Sequence, residues 1–260
     1  MNVIWAIASV VLREMIRRKD FYVLFVITAL ITLVMGSVSI FNDNSIAGYL
    51  KELCLLLIWI CSLVIAISTT ARQLHSEKEN RTIFPLLAKP VSRAQLLVGK
   101  FLGCWIASGL ALFVFYVFLC VISGSREHTW PIGSYFTAFL LHWGALAVIV
   151  ALALLGSIVF TAPSSNVTIC FVVAMGIIWI EPHLNTVAIR TGGIAGSLIH
   201  AFYFILPRVD WAFSVRELLV FDNPLPSTIV CGGALLFYAG YTAMLLTGSW
   251  LLFRRRALHT

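Results

Sequence analysis

Six stretches of this chain are apolar and long enough to cross a lipid bilayer, and that count restricts the fold more than any motif does. A hydrocarbon core about 30 Å thick takes roughly 20 helical residues. Residues 21–40, 53–71, 101–122, 135–160, 163–180 and 228–253 qualify as spans. The fourth and sixth are long enough to tilt or to extend past the bilayer. The fifth is short and shares a tight turn, Thr161-Ala162-Pro163-Ser164, with the fourth, which predicts an antiparallel hairpin. Composition agrees: 60% of residues are hydrophobic and only 11% charged, whereas a soluble domain carries about 25% charged residues. The expectation is an all-α integral membrane protein with six transmembrane helices in a single domain, residues 1–260.

Lysine and arginine near the span ends set the orientation. With an even span count both termini share a side. That side collects Arg13, Arg17, Arg18, Lys19, the six basic residues from Arg72 to Lys100, and Arg254, Arg255 and Arg256, thirteen of the chain's 18. The termini and the 72–100 loop are therefore expected in the cytoplasm, with the chain multi-pass in the cell inner (plasma) membrane. Topology accounts for most of the net charge of +7. No nucleic-acid partner is implied, since basic patches beside helices anchor to anionic lipid.

Residues 1–20 precede a run too long for the apolar core of a signal peptide, so the segment reads as retained. Ile4, Ile7, Val11 and Met15 recur at helical spacing apart from Arg13, Arg17 and Arg18, the pattern of a helix lying along the cytoplasmic interface. All six cysteines fall in or beside spans, without metal-site spacing, and read as small apolar residues. No Asp, Glu, Lys or Arg lies at mid-membrane depth in any span. His142, about two turns into the fourth span, has two readings, a histidine hydrogen-bonded to a neighbouring helix or a haem or proton-relay group. The spans otherwise offer groups such as Thr28, Thr32, Ser62, Ser68, Phe115 and Tyr116, which favours an apolar or lipid-like cargo or none.

The chain carries no nucleotide-binding loop of its own. Gly99-Lys100 is followed by Phe101 and preceded at position 94 by alanine, which fails the P-loop pattern. A nucleophile elbow, a zinc-protease helix and paired carboxylates are likewise missing from the sequence, so no catalytic residue and no metal site is assigned.

One polar island stands between two spans, residues 76–103, SEKENRTIFPLLAKPVSRAQLLVGKFLG. Glu77 and Glu79 precede Arg81 and Thr82, and a helix starting near Thr82 would put these acids by its positive end. Pro85 fits a first turn, and Ile83, Leu86 and Leu87 share one face of so short a helix. Lys89-Pro90-Val91 turns the chain. Ser92 and Gln95 fit a capping box for a helix running through Arg93 and Lys100 into the third span, a continuous rod that would carry a push into the membrane. The apolar stripe either docks a soluble partner or rests on lipid headgroups. Gly99, Gly103, Ala107 and Ala111 form a small-residue stripe that admits another helix, within the subunit or across a dimer seam. The segment 181–227 has amphipathic stretches at 198–204 and 211–220 with interleaved aromatic residues. They suit helices in the outer interface, or a gate or dock for an extracytoplasmic partner.

The island, with Glu77, Glu79, Arg81, Thr82, Ile83, Leu86, Leu87, Lys89, Pro90, Val91, Ser92 and Arg93, then Leu96, Gly99, Lys100 and Gly103, resembles the segment after the second span in ABC-2 type transporter permeases. The branch associated with multicopper-enzyme maturation is the nearest likeness. Arg81 stands where that family often has glycine, and Pro85 interrupts the apolar stretch. The resemblance implies that residues 1–20 form the elbow helix and that 72–100 carries a cytoplasmic coupling helix. Glu77, Glu79, Arg81, Thr82, Ile83, Leu86 and Leu87 would dock a separate ABC ATPase, and Ser92, Arg93, Gln95, Gly99, Lys100 and Gly103 would pass force to the third span. It further implies two ATPase copies binding ATP and Mg, a second permease protomer in a homodimer, and no cofactor in this chain. The function that follows is export driven by the partner's ATP hydrolysis. Two other classes stay open: a mechanotransmitting or assembly subunit acting on a periplasmic partner without solute passage, and a haem or redox protein built around His142.

Overall fold

The computed structural model of the chain describes residues 3–17, 44–79, 92–127, 130–220 and 226–255, together with positions 22, 26, 29 and 30. In chain order the described helices are α1 (Val3–Arg17), α2 (Asn44–Glu79), α3 (Arg93–Glu127), α4 (Ile132–Val159), α5 (Pro163–Thr191), α6 (Gly193–Ile205), α7 (Asp210–Val220) and α8 (Thr228–Arg255). Five contain a stretch long and apolar enough to cross a membrane: Lys51–Leu74, Arg93–Ser125, Ile132–Val159, Pro163–Ile180 and Thr228–Arg255. They match the second to sixth expected spans. The first, 21–40, lies outside the described residues except at those four positions.

Helix α4 is the axis of the bundle, packing against α2, α3, α5, α7 and α8. Its small residues permit this. A side chain at Gly144 would begin 2.7 Å from Leu235 Cδ2 of α8, inside contact distance, so glycine lets the Leu235 side chain sit where it does. The share of the apolar window that is buried is 72% in α4 but 28% in α5 and 22% in α8. The outer faces are apolar instead, with Val172, Trp179, Ile229, Leu236 and Met244 largely exposed. An exposed apolar belt of this extent belongs in lipid or against protein, not in water.

The turn between α4 and α5 forms where the sequence places it. Phe160 is extended after α4, and Pro163 opens α5 in the first turn, where its missing N–H is harmless. Asn166, fully buried, donates from Nδ2 to the Ala153 carbonyl at 3.1 Å and so ties the two helices side by side.

Three boundaries differ from the sequence reading. The loop expected from residue 72 begins later, since α2 continues to Glu79, whereas α3 begins at Arg93, directly after the Ser92 cap that the sequence predicts. Glu77 and Glu79 thus sit in the last turns of α2, and the helix expected from Thr82 lies outside the described residues. The fifth span is short as expected, at Pro163–Ile180, but its helix does not end there: α5 runs on through Pro182 to Thr191, taking in the start of the 181–227 segment. It stops at Gly192 and Gly193, both in the left-handed region (φ 59° and 61°) that side-chain-bearing residues avoid. Finally, α7 buries Ala212, Val215, Leu219 and Val220 and packs against α2 and α4, so this stretch caps one end of the bundle rather than resting on lipid alone.

Candidate functional site

Residues 80–91 connect α2 to α3, and the same end of the bundle, with α1 and the last turn of α8, gathers Arg13, Arg17, Arg72, Arg93, Lys100, Arg254 and Arg255. Of the residues expected to dock a partner, Glu77 and Glu79 have helical backbone, while Arg81, Thr82, Ile83, Leu86 and Leu87 lie outside the described residues. The residues expected to pass force onward are all described, and the structure brings them together at one end of the bundle.

Ser92 and Gln95 make a reciprocal cap at the start of α3. The Ser92 backbone N–H donates to Gln95 Oε1 at 2.9 Å, and the Gln95 N–H donates to Ser92 Oγ at 3.2 Å. Two donors that a helix start leaves unpaired are thereby satisfied. Arg93 reaches across to the last turn of α8, donating from Nη1 to the carbonyls of Phe253 (2.9 Å) and Arg254 (3.4 Å) over the Phe253 ring. A guanidinium at a helix C-terminus meets both the unpaired carbonyls and the negative end of the dipole.

Gly99 and Gly103 form the bed on which α1 lies. A side chain at Gly99 would begin 2.9 Å from Ile7 Cβ, and one at Gly103 2.7 Å from Val11 Cβ and 3.1 Å from the Ala8 backbone. For these two positions the small-residue stripe is filled from within the chain. The α1 face bearing Ala8, Val11 and Met15 is buried, while Trp5 and Val10 remain exposed.

Lys100, between the two glycines, is buried, and its Nζ donates to Gln73 Oε1 of α2 at 2.9 Å. Gln73 Nε2 in turn donates to Glu14 Oε2 of α1 at 3.1 Å. Sequence reading singled out neither Gln73 nor Glu14. The available signal was that Glu14 is the one acid of α1 and adjoins the apolar stripe at Val11 and Met15.

A second polar chain lies deeper. His142 is fully buried and stacks on Trp59 at 4.0 Å between ring centres. Ser62 Oγ donates to the Trp59 carbonyl (2.9 Å) and lies 3.0 Å from His142 Nε2. With the one hydroxyl hydrogen so placed, the imidazole carries its hydrogen on Nε2 and donates to Ser62, and Nδ1 accepts from Tyr116 OH at 3.3 Å. Both ring nitrogens are engaged within the bundle. Among the described residues no group of His, Cys, Asp and Glu is arranged to hold a metal ion.

The sequence model of the family described as ABC-2 family transporter protein matches residues 5–256. This chain belongs to the ABC-2 family. It is accordingly a multi-pass, all-helical membrane permease subunit of an ABC transporter, a transport component of a kind that generally works with an ATPase subunit. None of the curated proteins compared with the chain matches it.

Proposed function

We propose that this ABC-2 permease drives export by receiving the conformational stroke of a separate ATPase on residues 80–91 and passing it into the membrane through α3. The observation that carries this is the capped start of α3. Ser92, Arg93 and Gln95 fix the first turn, and the helix then runs unbroken from Arg93 to Glu127, touching α1, α2, α4 and α8. Force applied at its first turn therefore has a rigid path into the bundle. Glu77, Glu79, Arg81, Thr82, Ile83, Leu86 and Leu87 are assigned to ATPase docking. Ser92, Arg93, Gln95, Gly99, Lys100 and Gly103 are assigned to transmission. In this reading the basic end faces the cytoplasm of the inner membrane, ATP and Mg belong to the ATPase, and two permeases pair with two ATPases. An apolar cargo suits the bundle interior, where the described buried residues are mostly aliphatic, with a few hydroxyl, aromatic and imidazole groups among them.

The test is a tagged pull-down from native membranes, with mass spectrometry and an ATPase assay on the eluate. A nucleotide-binding ATPase should be recovered with the native chain and lost with the Leu86→Asp/Leu87→Asp variant, which should still fold and insert. Equal recovery from both, or none from either, refutes the docking assignment.

A further inference from the structure

Lys100 is 4% exposed and Gln73 is 4% exposed. An ammonium withdrawn from water is tolerated only where acceptors and an opposite charge replace the solvent. Here two other helices contribute to that replacement, in a fixed order. Lys100 of α3 donates to Gln73 of α2, and Gln73 donates to Glu14 of α1. The glutamine amide has one acceptor end and one donor end, so it passes the polarity of the ammonium on to the carboxylate and holds all three helices at once.

Two further observations place this chain mechanically. Gln73 and Lys100 each lie roughly two turns from the helix ends that bear residues 80–91, by the 3.6-residue repeat. And α1 is already seated on α3 through Gly99 and Gly103, one turn apart on either side of Lys100. The glycines bring α1 close without fixing its position along the groove, because apolar contacts are non-directional. The hydrogen bonds supply that direction.

We propose that Glu14, Gln73 and Lys100 form a polarised pin that locks α1 to the α2–α3 hairpin, so that the three helices shift as one body beneath residues 80–91. Glu14 is then a positioning residue for the coupling step, acting through Gln73 and Lys100. The shift itself rests on the function proposed above; the pin does not.

The amide makes the pin reversible in a way that can be tested. Exchanging the charges, Glu14→Lys with Lys100→Glu, asks only that the Gln73 amide turn over. The lysine at one end then donates to its oxygen and its nitrogen donates to the glutamate at the other. The combined length of the two flanking side chains is unchanged by the exchange. Either reversal alone puts two like charges at the ends of one amide.

Cys104 is a built-in reporter. It is fully buried one turn along from Lys100, beside the Thr70 side chain of α2 and within electrostatic reach of Lys100 and Glu14. Maleimide labelling of Cys104, read by peptide mass in the purified full chain, should be slow in the native protein. Glu14→Lys, Lys100→Glu and the neutral Gln73→Leu should each raise its rate at least tenfold, about the effect of losing one hydrogen bond to a charged group. The double exchange should return it to within about twofold of native, since the same two bonds re-form. Labelling that stays slow in Gln73→Leu, or a double exchange as fast as the single reversals, overturns the pin. ATPase recovery with the native chain is scored in the same preparations. Its loss would count against the proposed function and leave the Cys104 result standing.

Discussion

Helices α2 and α3 are joined at two depths, by two hydrogen-bond chains of opposite character. Near the basic end, Lys100, Gln73 and Glu14 run from α3 through α2 to α1 with a charge at each terminus. Deep in the bundle, Tyr116, His142 and Ser62 run from α3 through α4 to α2, starting at a phenol and ending on the Trp59 carbonyl. Each chain is directional and each adds a third helix to the pair. The difference is where the polarity can be afforded: at the basic end the half-buried Glu14 supplies a counter-charge, whereas the deep chain uses groups that need no ion beside them. The contrast teaches that the hairpin is held stiffly at both levels, so a displacement of residues 80–91 moves it as a lever rather than bending it.

The comparison breaks most severely at the glycine bed. Gly103→Leu places a side chain where Val11 and the Ala8 backbone already stand. Overpacking of this kind costs about 1–3 kcal/mol. Lifting α1 should open the charged chain while Ser62, His142 and Tyr116 stay joined, seen as a lowered unfolding midpoint in detergent titrations and a newly reactive Cys104. Lys100→Met should be next, at about 2 kcal/mol, because it removes the buried ammonium that Gln73 links to the Glu14 carboxylate while keeping the apolar stem. Ser62→Ala should be the mildest. It takes one acceptor from His142, and hydrogen bonds between helices in membranes average about 0.6 kcal/mol. A deep-chain variant as damaging as Lys100→Met in the same titration would reverse the ranking of the two chains.

The five described spans were legible because about twenty apolar residues in a row have one physical use, and the α3 start was legible because a capping box is local chemistry. The glycine stripe was legible as a groove but not as the seat of α1, since spacing names a face and not its occupant. Helix ends were misplaced for a physical reason. Arg72–Glu79 is too polar for a membrane core, yet it holds good helix formers and continues α2 beyond any lipid. The fifth span was read as ending at Ile180, where the apolar run stops, but α5 continues through Pro182 to Thr191. Glu14 and Gln73 were invisible as a pair because their link is tertiary: each is one polar residue on its own helix, and no periodicity joins them. Asn166 was missed in the same way. His142 was noticed for its burial, but its partners on α2 and α3 could only be found in three dimensions.

The central claim is that a soluble ATPase sits on residues 80–91 of this permease. A photo-crosslinking benzoylphenylalanine in place of Leu86, with a second at the outward-facing Val172 as the lipid-side control, tests it in native membranes. The account predicts a covalent ATPase adduct from position 86 and none from position 172. An ATPase that co-purifies yet crosslinks only at 172, or a position 86 that captures lipid alone, would contradict it.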